Sequence, residues 1–294
     1  MSDEGNGQNR HPEYDFKWCP GCGDFGVRRA LEGAISEYNA KFEQTIENTV
    51  VVAGIGCSGN LVHLVEGPQP YGIHGIHGRT LPIAFGIKMI RPELNVIVTA
   101  GDGDFLSIGG EHIAPQASRN LDITVVIMDN GVYGLTKGQS SPTTVLGEVT
   151  SSTPYGKFEM PLSPLDLYLT YGVTFIASGY SSKPKDLVKL MVKGMEHRGF
   201  SIIQVQSPCT TYNDTYATLK GNLKLGIEPG IFDVPEDHDV TDKFAASKLV
   251  NSGKIPIGVI YDRTDIPTLE DRINTVRAKT ESKDVEQLLA PYVI

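Results

Sequence analysis

Between Ala100 and Leu135 the chain carries two short segments whose side chains suit a metal-bound diphosphate. The first, Gly101-Asp102-Gly103-Asp104, puts carboxylates in a glycine-rich turn. The second, Asp129-Asn130-Gly131-Val132-Tyr133-Gly134-Leu135, follows an apolar run and adds a neutral amide oxygen. Hard oxygen ligands of this kind suit a divalent cation such as magnesium. Asp102 is the candidate charged ligand, Asn130 the neutral one, and the Val132 carbonyl a third. The glycines leave backbone N–H groups open toward a diphosphate, and a helix N-terminus follows. A competing reading makes both segments ordinary turns, the first capping a helix at Phe105. Asp104 and Asp129 suit turn-forming better than metal binding.

The four cysteines form a second group: Cys19, Cys22, Cys57 and Cys209. The first two make a Cys-Pro-Gly-Cys pair with chelating spacing, and the others stand just past expected strands. Four thiolates are the count for a [4Fe–4S] cluster or a structural zinc, although a Cys-x-x-Cys pair alone could be a thiol redox couple. His74, His77 and Arg79 form a third group, open to reading as a polar loop with a helix-capping arginine.

These residues need a scaffold that brings distant segments to one place. Asn95–Ala100 and Ile123–Met128 are continuous apolar runs, the pattern of strands buried on both faces of a parallel sheet. Further strands are expected at Thr49–Ala53, Gly172–Ala177, Ser201–Gln206 and Pro256–Tyr261. Helices are expected at Asp24–Phe42, Leu81–Ile90, Phe105–Arg119, Pro184–Arg198 and Lys243–Asn251, with a short one at Thr280–Leu289. Gly72–Thr80 and Gly138–Tyr155 read as loops, the second long enough to cover an active site. Such alternation specifies an α/β, doubly wound, mainly parallel sheet. Ligands in that fold bind beyond the carboxyl ends of the strands, where Cys57, Asp102, Asn130 and Cys209 should meet. Residues 1–15 read as a flexible arm and 16–210 as the main domain. Residues 211–294 read as an extension packing on that domain and on a partner, with 211–239 irregular.

Bulk properties narrow the partners. The 294 residues can bury a real core, and 40% hydrophobic with 21% charged residues is ordinary for a soluble globular chain. A net charge of −9 and a pI near 5.3 argue against nucleic acid and anionic membranes. No run approaches the roughly 20 apolar residues of a membrane helix. Met1–Gln8 has no apolar signal-peptide core, so a cytoplasmic location is expected.

As a set, the motifs resemble the β subunit of the 2-oxoacid:ferredoxin oxidoreductases. The matching blocks are Trp18-Cys19-Pro20-Gly21-Cys22-Gly23, Gly54-Ile55-Gly56-Cys57-Ser58, His74-Gly75-Ile76-His77-Gly78-Arg79, Gly101 to Asp104, Asp129 to Thr136, and Ser207-Pro208-Cys209. They run in that order from about residue 15 to 210, and Lys254-Ile255-Pro256-Ile257-Gly258 adds a similar tail. The resemblance implies a thiamine diphosphate-binding fold. Its cofactor site would draw on Ile55, Gly56, Cys57, Ser58, His74, His77, Gly101, Asp102, Gly103, Asp104, Asn130, Val132, Gly134 and Leu135. It implies magnesium on Asp102, Asn130 and Val132, and a [4Fe–4S] cluster on Cys19, Cys22, Cys57 and Cys209. His74, His77 and Lys137 become the catalytic candidates. His77 would sit near the diphosphate or the substrate carboxylate, and Lys137 could meet an anionic substrate or coenzyme A, unless it is a solvated loop lysine.

The implied reaction is oxidative decarboxylation of a 2-oxoacid to acyl-CoA and carbon dioxide. Electrons would pass through the cluster to ferredoxin, and the direction could reverse as reductive carboxylation. Thr210-Thr211-Tyr212-Asn213 resembles members acting on 2-oxoglutarate more than those acting on pyruvate. Thiamine enzymes usually set a glutamate against the aminopyrimidine, and neither Glu66 nor Glu111 sits in a persuasive context. In this family that part of the site lies on an α chain, so an α subunit should complete it as a heterodimer or dimer of heterodimers. Two alternatives stand beside this reading. One is a thiamine enzyme subunit without electron transfer, with zinc on the cysteines. The other is a non-enzymatic assembly protein that holds only a metal site.

Overall fold

The computed structural model describes residues 18–281 and 283–292. The expected arm at 1–15 lies outside the described residues. The strands are β1 (Thr49–Ala53), β2 (Tyr71–His74), β3 (Asn95–Gly101), β4 (Ile123–Asp129), β5 (Val132–Tyr133), β6 (Gln139–Ser140), β7 (Phe175–Tyr180), β8 (Phe200–Gln206), β9 (Ile231–Asp233) and β10 (Ile255–Asp262). Among the described residues, eight of them form one sheet in the order β2-β1-β3-β4-β8-β7-β10-β9. All neighbours are parallel except β10 against β7. The expected α/β, mainly parallel sheet is therefore the fold.

The central strands are where the apolar runs put them. Val96 to Ala100 and Ile123 to Met128 are buried throughout, because helices cover both faces of the sheet. One core layer packs Leu81, Phe105, Ile113 and Tyr168 against one face, and the other packs Val27, Leu31, Leu187 and Met191 against the opposite face. Register then aligns the strand ends. Ala53 pairs with Thr99, Gly101 with Met128, and Asp129 with Gln206. The loops after β1, β3, β4 and β8 consequently leave from one edge.

Several elements differ from expectation for local reasons. The loop expected at Gly72–Thr80 contains β2, an exposed edge strand held by backbone pairing to β1, which carries no burial pattern to read. The helix expected at Phe105–Arg119 is broken. A wide turn spans Asp104–Ile108, with the Gly109 N–H donating to the Asp104 carbonyl at 3.1 Å, and the regular helix begins only at Ile113. Gly109 permits this, since a Cβ there would stand 2.6 Å from that carbonyl oxygen. The strand expected at Gly172–Ala177 lies at Phe175–Tyr180, after the helix Pro164–Tyr171 and its left-handed Gly172 cap, which displace it along the chain. The helix Leu269–Arg277 is not among the expected elements, although its Thr268/Asp271 capping box is legible. The short tail helix starts at Val285, where Asp284 caps it, not at Thr280. Among the described residues, no helix is long and apolar enough to cross a membrane.

Candidate functional site

Asp102 leaves β3 into the interior. It is 1% exposed, and its Oδ2 accepts hydrogen bonds from Ser141 Oγ at 2.5 Å and Thr143 Oγ1 at 2.7 Å. The Asn130 backbone N–H also donates to this carboxylate. Asp129, at the end of β4, lies against the same threonine, with Thr143 Oγ1 2.8 Å from its Oδ1 and Gln204 Nε2 2.9 Å from its Oδ2. Burial, and then the Asp129 charge, push the Asp102 carboxyl well above the usual carboxylate range. Among the described residues, the buried Asp102 carboxylate and the partly buried Asp129 carboxylate have no cation as a partner. A divalent cation would neutralise them, and this is the observation that fits magnesium to the site.

Gly103 makes room for an aromatic ring. A Cβ at Gly103 would fall 2.2 Å from the Tyr133 ring, and the Tyr133 hydroxyl donates to the Gly103 carbonyl at 3.1 Å. The Asn130 amide oxygen closes its own turn by accepting the Val132 N–H at 3.0 Å, while the Asn130 carbonyl accepts from Asn213 at 2.8 Å. Asp102 and Asn130 thus meet through backbone, with the Asn130 amide oxygen engaged in the turn. Val132 is buried in the short β5–β6 hairpin.

Asp104, expected to shape its own turn, joins three other positions. Its Oδ1 accepts from Ile55 N at 3.0 Å, Gly78 N at 2.8 Å and His77 Nδ1 at 2.5 Å. It thereby fixes the loops after β1 and β2 against the loop after β3. Gly54 must be glycine, since a Cβ there would lie 2.0 Å from Asp104 Oδ2. His77 keeps its ring part-exposed, edge-on to Tyr133 at 6.4 Å between centroids. His74 Nδ1 lies 2.8 Å from His63 Nε2 on the neighbouring helix. Leu135 and Lys137 are exposed at the hairpin tip, Lys137 with a left-handed φ of 83°. Glu66 pairs with Arg28 at 2.8 Å and Glu111 with Arg79 at 3.6 Å, so both of these glutamates are engaged elsewhere.

The cysteine segments converge beside this site. The Cys22 N–H donates to the Cys19 carbonyl at 3.0 Å, closing the first turn, and the Gly23 N–H donates to the Pro208 carbonyl at 3.0 Å. Trp18 Nε1 donates to the Cys57 carbonyl at 2.7 Å. Burial, and then the Asp24 charge, push the Cys57 thiol up to about 11 and raise the Cys22 thiol further. The charges of Cys19, Cys57 and Cys209 act on these thiols too, as mutual proximity requires. Among the described residues, no group of three or more His, Cys, Asp or Glu is arranged to hold a single metal ion. Ser58 is buried between the helix start and the loop after β3: its hydroxyl is 3.4 Å from Asp24 Oδ2, and a Cβ at Gly101 would stand 3.3 Å from it.

The loop expected at Gly138–Tyr155 lies over Asp102 as a strap, but sequence reasoning did not single out the residues that fasten it. Ser141 and Thr143 lie on it, and buried Lys157 pins it by donating to the carbonyls of Ser141 at 2.9 Å, Thr144 at 3.0 Å and Pro142 at 3.3 Å. Nothing in the local pattern separates Lys157 from a solvated loop lysine. Asp24 was also missed, hidden by its plausible role as a helix cap.

Two family models match the chain. One is the thiamine pyrophosphate enzyme, C-terminal TPP-binding domain, over residues 54–205. The other is the C-terminal part of the β subunit of pyruvate ferredoxin oxidoreductase, over 209–278. A 2-oxoacid:ferredoxin oxidoreductase β subunit from Saccharolobus solfataricus is 41% identical over 263 residues, covering 87% of this chain and 85% of the relative. A 2-oxoglutarate synthase subunit KorB from Archaeoglobus fulgidus is 39% identical over 212 residues, covering 70% and 76%. A solved 2-oxoglutarate:ferredoxin oxidoreductase from Magnetococcus marinus, with 2-oxoglutarate, coenzyme A and succinyl-CoA bound, superposes with a TM-score of 0.84 at 36% identity, covering 96% and 94%.

Proposed function

This chain belongs to the β subunits of the 2-oxoacid:ferredoxin oxidoreductases, and from that membership we propose that it is a 2-oxoglutarate-type subunit holding the diphosphate end of thiamine diphosphate, magnesium and a [4Fe–4S] cluster. When bound, thiamine diphosphate supplies an electron sink for decarboxylating a 2-oxoacid. Asp102 would provide the charged magnesium ligand, with Asn130 and the Val132 carbonyl completing the protein's share. Gly103 and Gly134 keep backbone open to the diphosphate, and Tyr133 holds the Gly103 peptide in place. Asp104 orients His77, whose part-exposed ring can then donate to an anionic group of cofactor or substrate. Lys137 is free to reach an anionic substrate or coenzyme A.

The observation that carries the reading is Gly134. A Cβ there would touch Cys57 Sγ at 3.5 Å and Cys209 Sγ at 3.9 Å. The segment that would cradle the diphosphate therefore abuts the sulfur atoms that would hold the cluster. Cys19, Cys22, Cys57 and Cys209 would hold the cluster there, and it would supply an electron acceptor beside the cofactor on the way to ferredoxin.

The β-subunit family implies an α partner, and we place the missing aminopyrimidine-side glutamate on it. The strap beside Asp102 exposes Val145, Val149, Tyr155, Phe158 and Met160, an apolar face suited to that partner. The isolated chain should be inactive, and turnover of a 2-oxoacid by it alone counts against the reading.

The decisive experiment uses the α/β complex purified without air. It should contain iron and acid-labile sulfide and bind thiamine diphosphate only with magnesium. With coenzyme A it should reduce a low-potential viologen faster on 2-oxoglutarate than on pyruvate. Zinc in place of iron, or cofactor binding indifferent to Asp102→Ala, overturns the cofactor assignment. A preference for pyruvate overturns the substrate.

A further inference from the structure

Asp24 begins the helix Asp24–Lys41 two residues after Cys22, and it is 1% exposed. A carboxylate at a helix start ordinarily caps its own helix or faces water. Asp24 instead reaches into two other parts of the chain. Its Oδ1 accepts from Ser207 Oγ at 2.6 Å, and its Oδ2 from Ser58 Oγ at 3.4 Å. Ser58 immediately follows Cys57, and Ser207 stands two residues before Cys209. One buried carboxylate therefore ties together the three segments that carry all four cysteines.

The packing around it leaves little freedom. A Cβ at Gly23 would fall 2.6 Å from Ser207 Oγ, and one at Gly26 would fall 2.0 Å from the Ser181 carbonyl oxygen. The helix start is thus pressed against the segments after β7 and β8. The side chains that bond Asp24 are neutral hydroxyls, and its charge acts on both Cys22 and Cys57.

We propose that Asp24 is a positioning residue for the iron–sulfur site: it clamps the three cysteine-bearing segments and holds a buried carboxylate beside their thiolates, keeping the cluster's reduction potential low. This rests on the cluster reading above. An added electron is disfavoured next to a buried negative charge, and net charge with hydrogen bonding around the sulfurs is what sets such potentials. A low potential suits an electron carrier that must reduce ferredoxin.

The test is a redox titration of the α/β complex, followed by electron paramagnetic resonance at mildly alkaline pH. In the parent complex, iron and sulfide analysis first decides the cluster reading; zinc on the cysteines removes that reading and this inference with it. Asp24→Asn keeps the shape and removes the charge. Its cluster should titrate at a more positive potential with unchanged iron content. An unchanged midpoint in a fully loaded variant overturns the proposal while leaving the cluster reading intact. If Asp24→Asn does not load, the Ser58→Ala/Ser207→Ala double variant decides. Release of its iron to a chelator should be several-fold faster than in the parent, and an unchanged release rate overturns the clamp.

Discussion

Asp102 and Asp129 face each other across one hydroxyl: Thr143 Oγ1 stands 2.7 Å from the first carboxylate and 2.8 Å from the second. That hydroxyl has a single hydrogen, so it can satisfy only one of them at a time. The ends of two adjacent parallel strands therefore bring together two under-compensated carboxylates, Asp102 buried and Asp129 partly so, and burial holds both above the usual carboxylate range. Without a cation the arrangement is unfavourable, and the surrounding fold holds it in place.

Asp102→Asn should separate stability from function. Removing one of two like charges is expected to raise the melting temperature of the metal-free chain. The same change should weaken magnesium-dependent thiamine diphosphate binding by more than the roughly 100-fold that an outer partner's loss can cost. Calorimetric titration beside thermal melting checks both. A lower melting temperature would contradict the repulsion between the two carboxylates.

Thr143→Val should leave Asp102 in place but remove its orienting hydroxyl. We expect cofactor affinity to fall about 10- to 100-fold. Unchanged affinity in an equilibrium titration would mean that Thr143 only packs the strap.

Gly103→Ala forces a Cβ to within 2.2 Å of the Tyr133 ring unless something shifts. A loss of about 1–3 kcal/mol is expected from this overpacking. Adding Tyr133→Ala should recover part of it. Chemical denaturation of the two variants measures the coupling, and strictly additive effects would contradict the contact.

Lys157→Met removes the ammonium that serves three strap carbonyls. Leaving buried acceptors unpaired costs about 1–3 kcal/mol apiece, so we expect a loss of at least about 2 kcal/mol. The strap over 142–160 should also become more sensitive to limited proteolysis. Parent-like cleavage kinetics would argue that other contacts hold it.

Tyr155→Ser with Phe158→Ser should leave the fold intact, because both side chains are exposed. If the strap meets the α subunit, the complex should weaken by at least about 2 kcal/mol, as the loss of aromatic anchors typically does. Sedimentation of the mixed subunits gives the answer, and an unchanged dissociation constant would move the interface elsewhere.

Sequence alone determined the α/β class, the central strands and the residue types of the site. Continuous apolar runs dictate strands buried on both faces, and Gly101 to Asp104 with Asp129 to Gly134 mark the loops that leave them. Those are local properties, readable from neighbours along the chain. Tertiary structure decided the partners. Asp129 becomes the companion of Asp102 only because β3 and β4 are adjacent and in register. Asp104 serves Ile55, Gly78 and His77 because three loops leave the same sheet edge. Asp24 reaches Ser58 and Ser207, 34 and 183 residues further along the chain. A carboxylate's role depends on which donors and charges share its burial, and burial brings together residues that the chain keeps far apart.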